Sequence, residues 1–377
     1  MQHLVFPAFL ILHASLFPAF TMPEKDSIMS CPPTEHKKPV KEKIKRTGSL
    51  LYRIVKSFDD YDTDYISPNY YNYTAMLQNT NFYQTYRMAA KDEKGNEQAL
   101  HMAPSPTLKL GPYLGWRWIF LGYTFDIGHP QKATKTTEFN LSLYSSMLGV
   151  DLVYIRNTGD FTLRKVTGFE GLEPTAVRGI SFSGMDTYTS SINLYYVLNH
   201  KHFSYPAAFA QSTVQRKSCG SWILGIRFDK QKIHFDYSLL PDILKDGNDN
   251  SAGIIEELKV RKINYRNYSI SGGYAYNWVF ARNFLLAASF TPALGFKHAE
   301  GERVRGDEFW LSMKNLSFDC VTRLGLVWNN THWFAGTSLV SHLYDYKRDR
   351  FTLLNSASYL NVYVGLNFNR KRQYRNR

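Results

Sequence analysis

The sequence predicts an all-β fold: a closed antiparallel transmembrane β-barrel of about twelve strands, roughly ten to fourteen. Three observations carry that expectation. Apolar and polar residues alternate with period two over long stretches. Aromatic residues are abundant, with 26 Tyr, 25 Phe and 7 Trp in 377 residues, yet mean hydropathy is only −0.34. Beyond residue 20 no apolar run reaches the ~20 residues that a membrane helix needs. Such a composition suits strands of which only every second residue faces lipid. A water-soluble β-sandwich shares the alternation with its faces reversed, and it stands as the competing architecture.

Taken in order, the chain opens with an apolar stretch, Leu4–Phe20, interrupted by Pro7 and Pro18. It is too short for a membrane helix and reads as a secretory signal over residues 1–21, although the first residues carry His3 and no Lys or Arg. Residues 22–57 are polar, Pro-containing and Lys-rich, which predicts a flexible linker. Cys31 loosely fits the acylated cysteine of a lipoprotein, but Glu24, Lys25 and Asp26 separate it from the apolar stretch. The barrel is expected over 58–368 and a basic tail over 369–377. Net charge is +13, concentrated in 37–46 and 370–377. No nucleic-acid module surrounds either run, so nucleic acid is excluded as a partner. With three cysteines there is no disulfide framework; one Cys219–Cys320 bridge is conceivable.

Within 107–118 the apolar series Leu108, Leu110, Leu114, Trp116 and Trp118 alternates with Lys109, Gly111 and Arg117. The phase flips at 118–119, and Ile119, Leu121, Tyr123 and Phe125 then alternate with Gly122 and Asp126. Turn residues are absent there, which predicts a β-bulge rather than a tight hairpin. Trp222, Leu224, Ile226 and Phe228 form the next apolar face. A turn is expected at Asp229–Gln231, followed by a return strand in which Ile233 and Phe235 oppose Lys232, His234 and Asp236. Tyr268, Ile270, Tyr274, Tyr276 and Trp278 oppose Asn267, Ser269, Ser271 and Gly273. The last strand sets Leu360, Val362, Val364, Leu366 and Phe368 against Tyr359, Asn361, Tyr363 and Asn367. Long polar segments at 128–137, 158–184, 241–262 and 298–310 are expected as loops, with a turn or two of helix at 254–260. Strands of ten or more residues and Gly on the polar face favour the barrel over the sandwich.

In a barrel the polar faces line the lumen, which makes Lys109, Arg117, Asp126, Arg227, Lys232, His234, Asp236, Asp319 and Arg323 the lumen-facing candidates. Their mixed signs suggest a salt-bridged plug or a narrow pore. A catalytic reading would need Ser204, Ser218 or Ser221 beside His200, His202 or His234, with Asp236 orienting the imidazole. No G-x-S-x-G elbow frames these serines, so no catalytic residue is assigned. His200 and His202 are two ligands, short of a metal site. No cofactor is expected.

One stretch goes beyond periodicity. Residues 196–222 read YVLNHKHFSYPAAFAQSTVQRKSCGSW. Asn199, Lys201, Phe203, Ser204, Tyr205, Ala207, Phe209, Gln211, Gln215, Ser218, Gly220 and Ser221 resemble the pattern of a Bacteroidetes family, domain of unknown function 4421. Asp64-Tyr65-Ile66 and Gly273-Tyr274-Ala275-Tyr276-Asn277 extend the resemblance over about 58–368. Its members look like outer-membrane barrels without an established activity. The resemblance implies outer-membrane lipid and the barrel-insertion machinery as partners, and a structural or passive small-solute role. Two other readings stand beside it: an outer-membrane lipid-modifying enzyme and a secreted glycan-binding sandwich.

Overall fold

The computed structural model describes residues 61–116, 119–128, 136–159, 161–245, 247–248, 251–299, 316–348 and 350–374. The expected leader, the whole of the linker, Cys31 and Arg117 lie outside them, as do most of the 128–137 and 298–310 segments.

A short strand, β1 (Ile66–Pro68), precedes the long β2 (Tyr71–Lys91), then β3 (Glu97–Pro104) and β4 (Thr107–Trp116). Next come β5 (Ile119–Gly122), β6 (Phe125–Asp126), β7 (Thr136–Tyr144), β8 (Leu148–Thr158), β9 (Phe161–Thr167), β10 (Ser181–Phe182) and β11 (Met185–Val197). Helix α1 (Tyr205–Phe209) and β12 (Thr213–Gln215) lie in the connection to β13 (Cys219–Phe235). Helix α2 (Asp242–Lys245), β14 (Gly247–Asn248), β15 (Ser251–Ala252) and a 3-10 turn at Glu256–Leu258 follow. β16 (Lys262–Ala281), β17 (Phe284–Ala299), β18 (Leu316–Asn329), β19 (Trp333–Arg348) and β20 (Phe351–Arg370) complete the fold.

One antiparallel sheet takes up sixteen of these strands in the order β10-β9-β3-β2-β20-β19-β18-β17-β16-β13-β11-β8-β7, with β4 on β2 and β5 and β6 on β4. It is not a stack of two sheets. The strand number exceeds the expected dozen because some strands are fragments. β2 is long enough to hold β3 along Tyr86–Lys91 and β4 along Tyr73–Phe82. No ladder joins β7 to β4, β5 or β6 among the described residues, so the hydrogen-bonded order has two ends. The buried face nevertheless meets itself: Asp151 on β8 reaches Arg323 on β18, and Tyr86 on β2 donates to Thr187 on β11 at 2.9 Å.

Side chains alternate in burial strand by strand, and the chemistry of the two faces switches along the sheet. Near the end where β2 begins and β20 finishes (the terminal end), the exposed face is apolar. Trp222, Leu224 and Ile226 on β13 are 63%, 53% and 59% exposed, while Ser221, Arg227 and Asp229 between or beyond them are buried. β16 does the same with Tyr268, Ile270, Tyr274, Tyr276 and Trp278 outward and Asn267, Ser269 and Ser271 buried. At the opposite, loop end the faces exchange. Lys232 and His234 are exposed, and Ile233 and Phe235 are buried with Met88, Leu100, Phe161, Phe182 and Leu353 in an apolar core.

That exchange corrects the expected turn at Asp229–Gln231. β13 is one continuous strand whose ladder to β16 runs unbroken from Cys219 to His234. The apolar residues change face there while the backbone continues without reversing. The expected bulge at 118–119 is likewise corrected: Trp116 pairs with Ile119 and Tyr113 with Gly122, so β4 and β5 form a tight hairpin. Two residues between paired positions shift the phase by one, which in sequence is indistinguishable from a bulge. The 158–184 loop contains β9 and β10, and the 241–262 loop contains α2, β14, β15 and the 3-10 turn. Cys219 and Cys320 are both unbridged and point to opposite faces. β20 runs past Phe368 to Arg370, and Tyr374 packs edge-on to Tyr70, so the start of the basic tail is ordered.

At Gly273 β16 leaves no room for a side chain against β17. A Cβ there would lie 2.1 Å from the Phe290 carbonyl oxygen, whereas one on Gly272 would meet nothing closer than 3.7 Å. Gly273→Ala is therefore expected to cost about 1–3 kcal/mol by overpacking against backbone. Gly272→Ala should stay within about 0.5 kcal/mol of the parent. Urea midpoints in detergent would compare the two; equal midpoints would refute the close approach.

Candidate functional site

The buried face falls into three zones. In the middle, strand alternation aims ionisable side chains inward. Asp151 pairs with Arg323 and accepts from Asn193 Nδ2 at 2.9 Å and from Ser142 Oγ at 2.8 Å. The Arg323 guanidinium lies 5.2 Å from the Tyr195 ring and 5.8 Å from Tyr205. Lys109 bridges to Glu138 at 2.6 Å, and Thr107 donates to the same carboxylate at 3.0 Å. Asp319 accepts from Asn267 Nδ2 at 2.6 Å and from the Asp345 N–H at 3.0 Å. Lys297 Nζ sits between the Tyr265 and Tyr346 rings at 5.1 and 5.3 Å. Buried Arg227 and Asp229 follow each other on β13. Lys109, Arg227, Lys297 and Arg323 thus offset Glu138, Asp151, Asp229 and Asp319. Of these, Lys109–Glu138 and Asp151–Arg323 are ion pairs, whereas the buried Arg227 guanidinium and Lys297 ammonium make no hydrogen bond among the described residues and are offset by charge at longer range.

At the terminal end the 199–221 segment folds inward and fills the sheet's interior. Ser204 caps α1 by accepting from the Ala207 N–H, and its hydroxyl shares a 2.7 Å hydrogen bond with Thr213. Pro206 sits within the first turn, where its missing N–H costs nothing. Phe203 and Tyr205 are buried against Tyr195, Ile223 and Ala275. Gln215 accepts from the Ser204 N–H at 3.0 Å and Asn277 Nδ2 at 3.1 Å, and it donates to the His202 carbonyl at 2.6 Å. Gln211 donates to the Tyr363 hydroxyl at 2.9 Å and accepts from Asn329 at 3.0 Å. Asn199 donates to the Gly220 carbonyl at 2.9 Å, and its N–H donates to Ser221 Oγ. Ser218 Oγ accepts from the Val279 N–H. β1 pairs with β12 beneath this plug. At the loop end the third zone is the apolar core that takes in residues of 161–182 and 236–258.

Of the residues singled out in the sequence, Arg227, Asp319 and Arg323 are buried, and Lys109 and Asp126 are half-buried. Lys232 and His234 are corrected: both are exposed, on the face opposite Arg227. Asp236 follows the end of β13 and caps a short 3-10 turn. The Ser238 hydroxyl and N–H hold its carboxyl below the usual carboxylate range. It therefore does not orient His234. Ser204, Ser218 and Ser221 serve as caps and strand locks, as their partners above state. His202 pairs with Asn199 and lies 3.4 Å from Asp62. Sequence reading missed Asp151, Asp229, Glu138 and Lys297. The signal that finds them is their in-phase position between outward residues, such as Val150 and Leu152 around Asp151.

Residues 60–368 match the sequence profile described as a domain of unknown function (DUF4421). No curated protein matches. Among solved structures, the chain is similar to the outer membrane protease OmpT from Escherichia coli, with 8% identity, coverage of 81% of this chain and 100% of that one, and TM-score 0.34. It is also similar to the translocator domain of the autotransporter NalP from Neisseria meningitidis, with 11% identity, 87% and 98% coverage, and TM-score 0.26. For the toluene transporter TodX of P. putida the values are 9%, 79%, 91% and 0.21. At these values no activity transfers from any of them.

Proposed function

The chain belongs to the DUF4421 family, and from that premise we propose that it is an outer-membrane β-barrel with a structural role, sealed along its axis. The observation that carries this reading is the inverted polarity from the terminal end to the middle of the sheet, where apolar side chains face out and polar and charged ones face in. A water-soluble protein would expose that apolar surface at great cost. On β16 the outward series from Trp278 to Tyr268 spans roughly 34 Å of strand, or about 26 Å at a tilt near 40°, the height of a membrane band. The apolar leader stretch supports export.

In lipid the two ends of the hydrogen-bonded order must meet, since unpaired edges there cost several kcal/mol per group. The Lys109–Glu138 and Thr107–Glu138 contacts tie the β4 unit to β7 and support closure between them. Counting β3 with β4 and β5 with β6 reduces the sixteen strands to fourteen staves, a size between filled and open barrels. The short turns at 145–147, 282–283 and 330–332 lie at the terminal end, which supports a periplasmic side there. Of the structural and small-solute roles, the plug, the Asp151–Arg323 and Lys109–Glu138 pairs and the apolar core favour the structural one.

Expression with the native leader tests this. The expected result is a sarkosyl-insoluble band whose migration shifts on boiling, and vesicles that swell in small sugars no faster than empty ones. A soluble, unshifted protein would overturn the membrane reading. Sugar-permeable vesicles would overturn the seal and reinstate passive transport.

A further inference from the structure

Strand register sets a sharp boundary on the exposed face of β8, β11, β13, β16 and β17. Leu152, Ile192, Phe228, Tyr268 and Phe296 are cross-strand neighbours and form one apolar row. The next row towards the loop end reads Tyr154, Ser190, Lys230, Arg266 and His298. Beyond it come Arg156, Tyr188, Lys232 and Asn264, then Thr158, Asp186, His234 and Lys262. Successive rows are about 7 Å apart along the strands. Among the described residues of these rows, five Lys and Arg side chains therefore stand within roughly 20 Å of the last apolar row, beside the Asp186 carboxylate.

Arg156, Lys232, Lys262 and Arg266 are exposed, and Arg156, Asp186, Tyr188, Lys232, His234 and Lys262 line a groove of ≈ 270 Å³, in which three Lys and Arg side chains face one carboxylate. The Lys232 ammonium leans over the Tyr188 ring at 5.9 Å. On the other flank Lys347 of β19 is likewise exposed, two residues beyond Asp345 towards the loop end, and Arg87 on β2 is paired with Glu97.

We propose that this collar binds phosphate-bearing lipid headgroups of the leaflet at the loop end of the apolar band. The proposal rests on the membrane reading above. A headgroup whose chains lie against Ile192, Phe228 and Tyr268 carries its phosphate to the height of Lys230 and Arg266, where basic side chains beside an anionic surface attract it. The Asn264 amide, the Tyr188 hydroxyl and His234 add hydrogen-bonding groups in the groove.

The test uses the full chain reconstituted into phosphatidylcholine vesicles with and without phosphatidic acid, followed by extraction and quantification of retained lipid. The expected result is selective retention of phosphatidic acid. An Arg156→Ser/Lys232→Ser/Lys262→Ser variant should weaken it at least about tenfold. Lys232→Arg/Lys262→Arg should preserve it, because the charge is kept. Inorganic phosphate at matched concentration should not displace the lipid. Equal retention of the two lipids, or an unaffected triple variant, overturns the proposal while the heat-shifted band leaves the barrel intact. Displacement by inorganic phosphate overturns the lipid assignment in favour of a soluble anion. Failure to enter either vesicle overturns the membrane reading on which it rests.

Discussion

Asp151→Ala is expected to destabilise the fold by about 3–5 kcal/mol, the largest single-site effect among the charged residues. Its carboxylate and the Arg323 guanidinium are both fully buried, on strands far apart in the sheet order. Removing the carboxylate strands a cation that water cannot reach, and it also orphans Asn193 and Ser142. Arg323→Met alone should cost a similar amount by stranding Asp151. The double variant should recover most of the loss, because an apolar pair of similar volume avoids desolvating either ion. Urea titration of the detergent-folded protein, followed by tryptophan fluorescence, reads all three. Single variants within about 0.5 kcal/mol of the parent would remove this pair from the account of the interior.

The second large effect is expected at Gln215, which is 4% exposed. Its carbonyl oxygen serves the Ser204 N–H and Asn277, and its amide serves the His202 and Lys217 carbonyls. Gln215→Ala leaves these groups buried without partners, at about 1–3 kcal/mol for each that water cannot reach. The plug should loosen before the sheet does, since α1 is a single short turn held by such bonds. Limited trypsin digestion is expected to cut the variant at Lys201, Arg216 or Lys217 while the boiled-minus-unboiled band shift survives. Gln215→Glu keeps the acceptor and loses the donor, so it should fall between. Parent-like resistance of Gln215→Ala would show that packing of Phe203 and Tyr205, not this network, holds the plug.

How far the sequence was legible depends on where a strand sits along the axis. Over Tyr268–Trp278 of β16 and the terminal half of β20, period two separated the exposed from the buried face without error, because the apolar residues stay on one face along those stretches. On β13 the same rule failed after Phe228. Lys232 and His234 were assigned inward with Arg227, because an exchange of apolar side mimics a turn when only local pattern is read. The 118–119 hairpin failed for the same reason, since a bulge and a two-residue reversal leave one phase shift each. The 199–221 segment was legible as a motif but not as a plug: Ser204, Ser218 and Ser221 could be recognised, but the partners that define their roles, Thr213, Val279 and Asn199, could not be assigned.

By itself, the sequence determined the all-β class, the family and the alternation of faces. Those follow from composition and from contacts between near neighbours in the chain. The tertiary structure alone decided which face is buried at each height and which charges meet. Asp151 and Arg323 are 172 residues apart, and neither neighbourhood announces the other. The pair exists because antiparallel register fixes each side chain's height, and the curl of the sheet brings strands distant in sequence face to face.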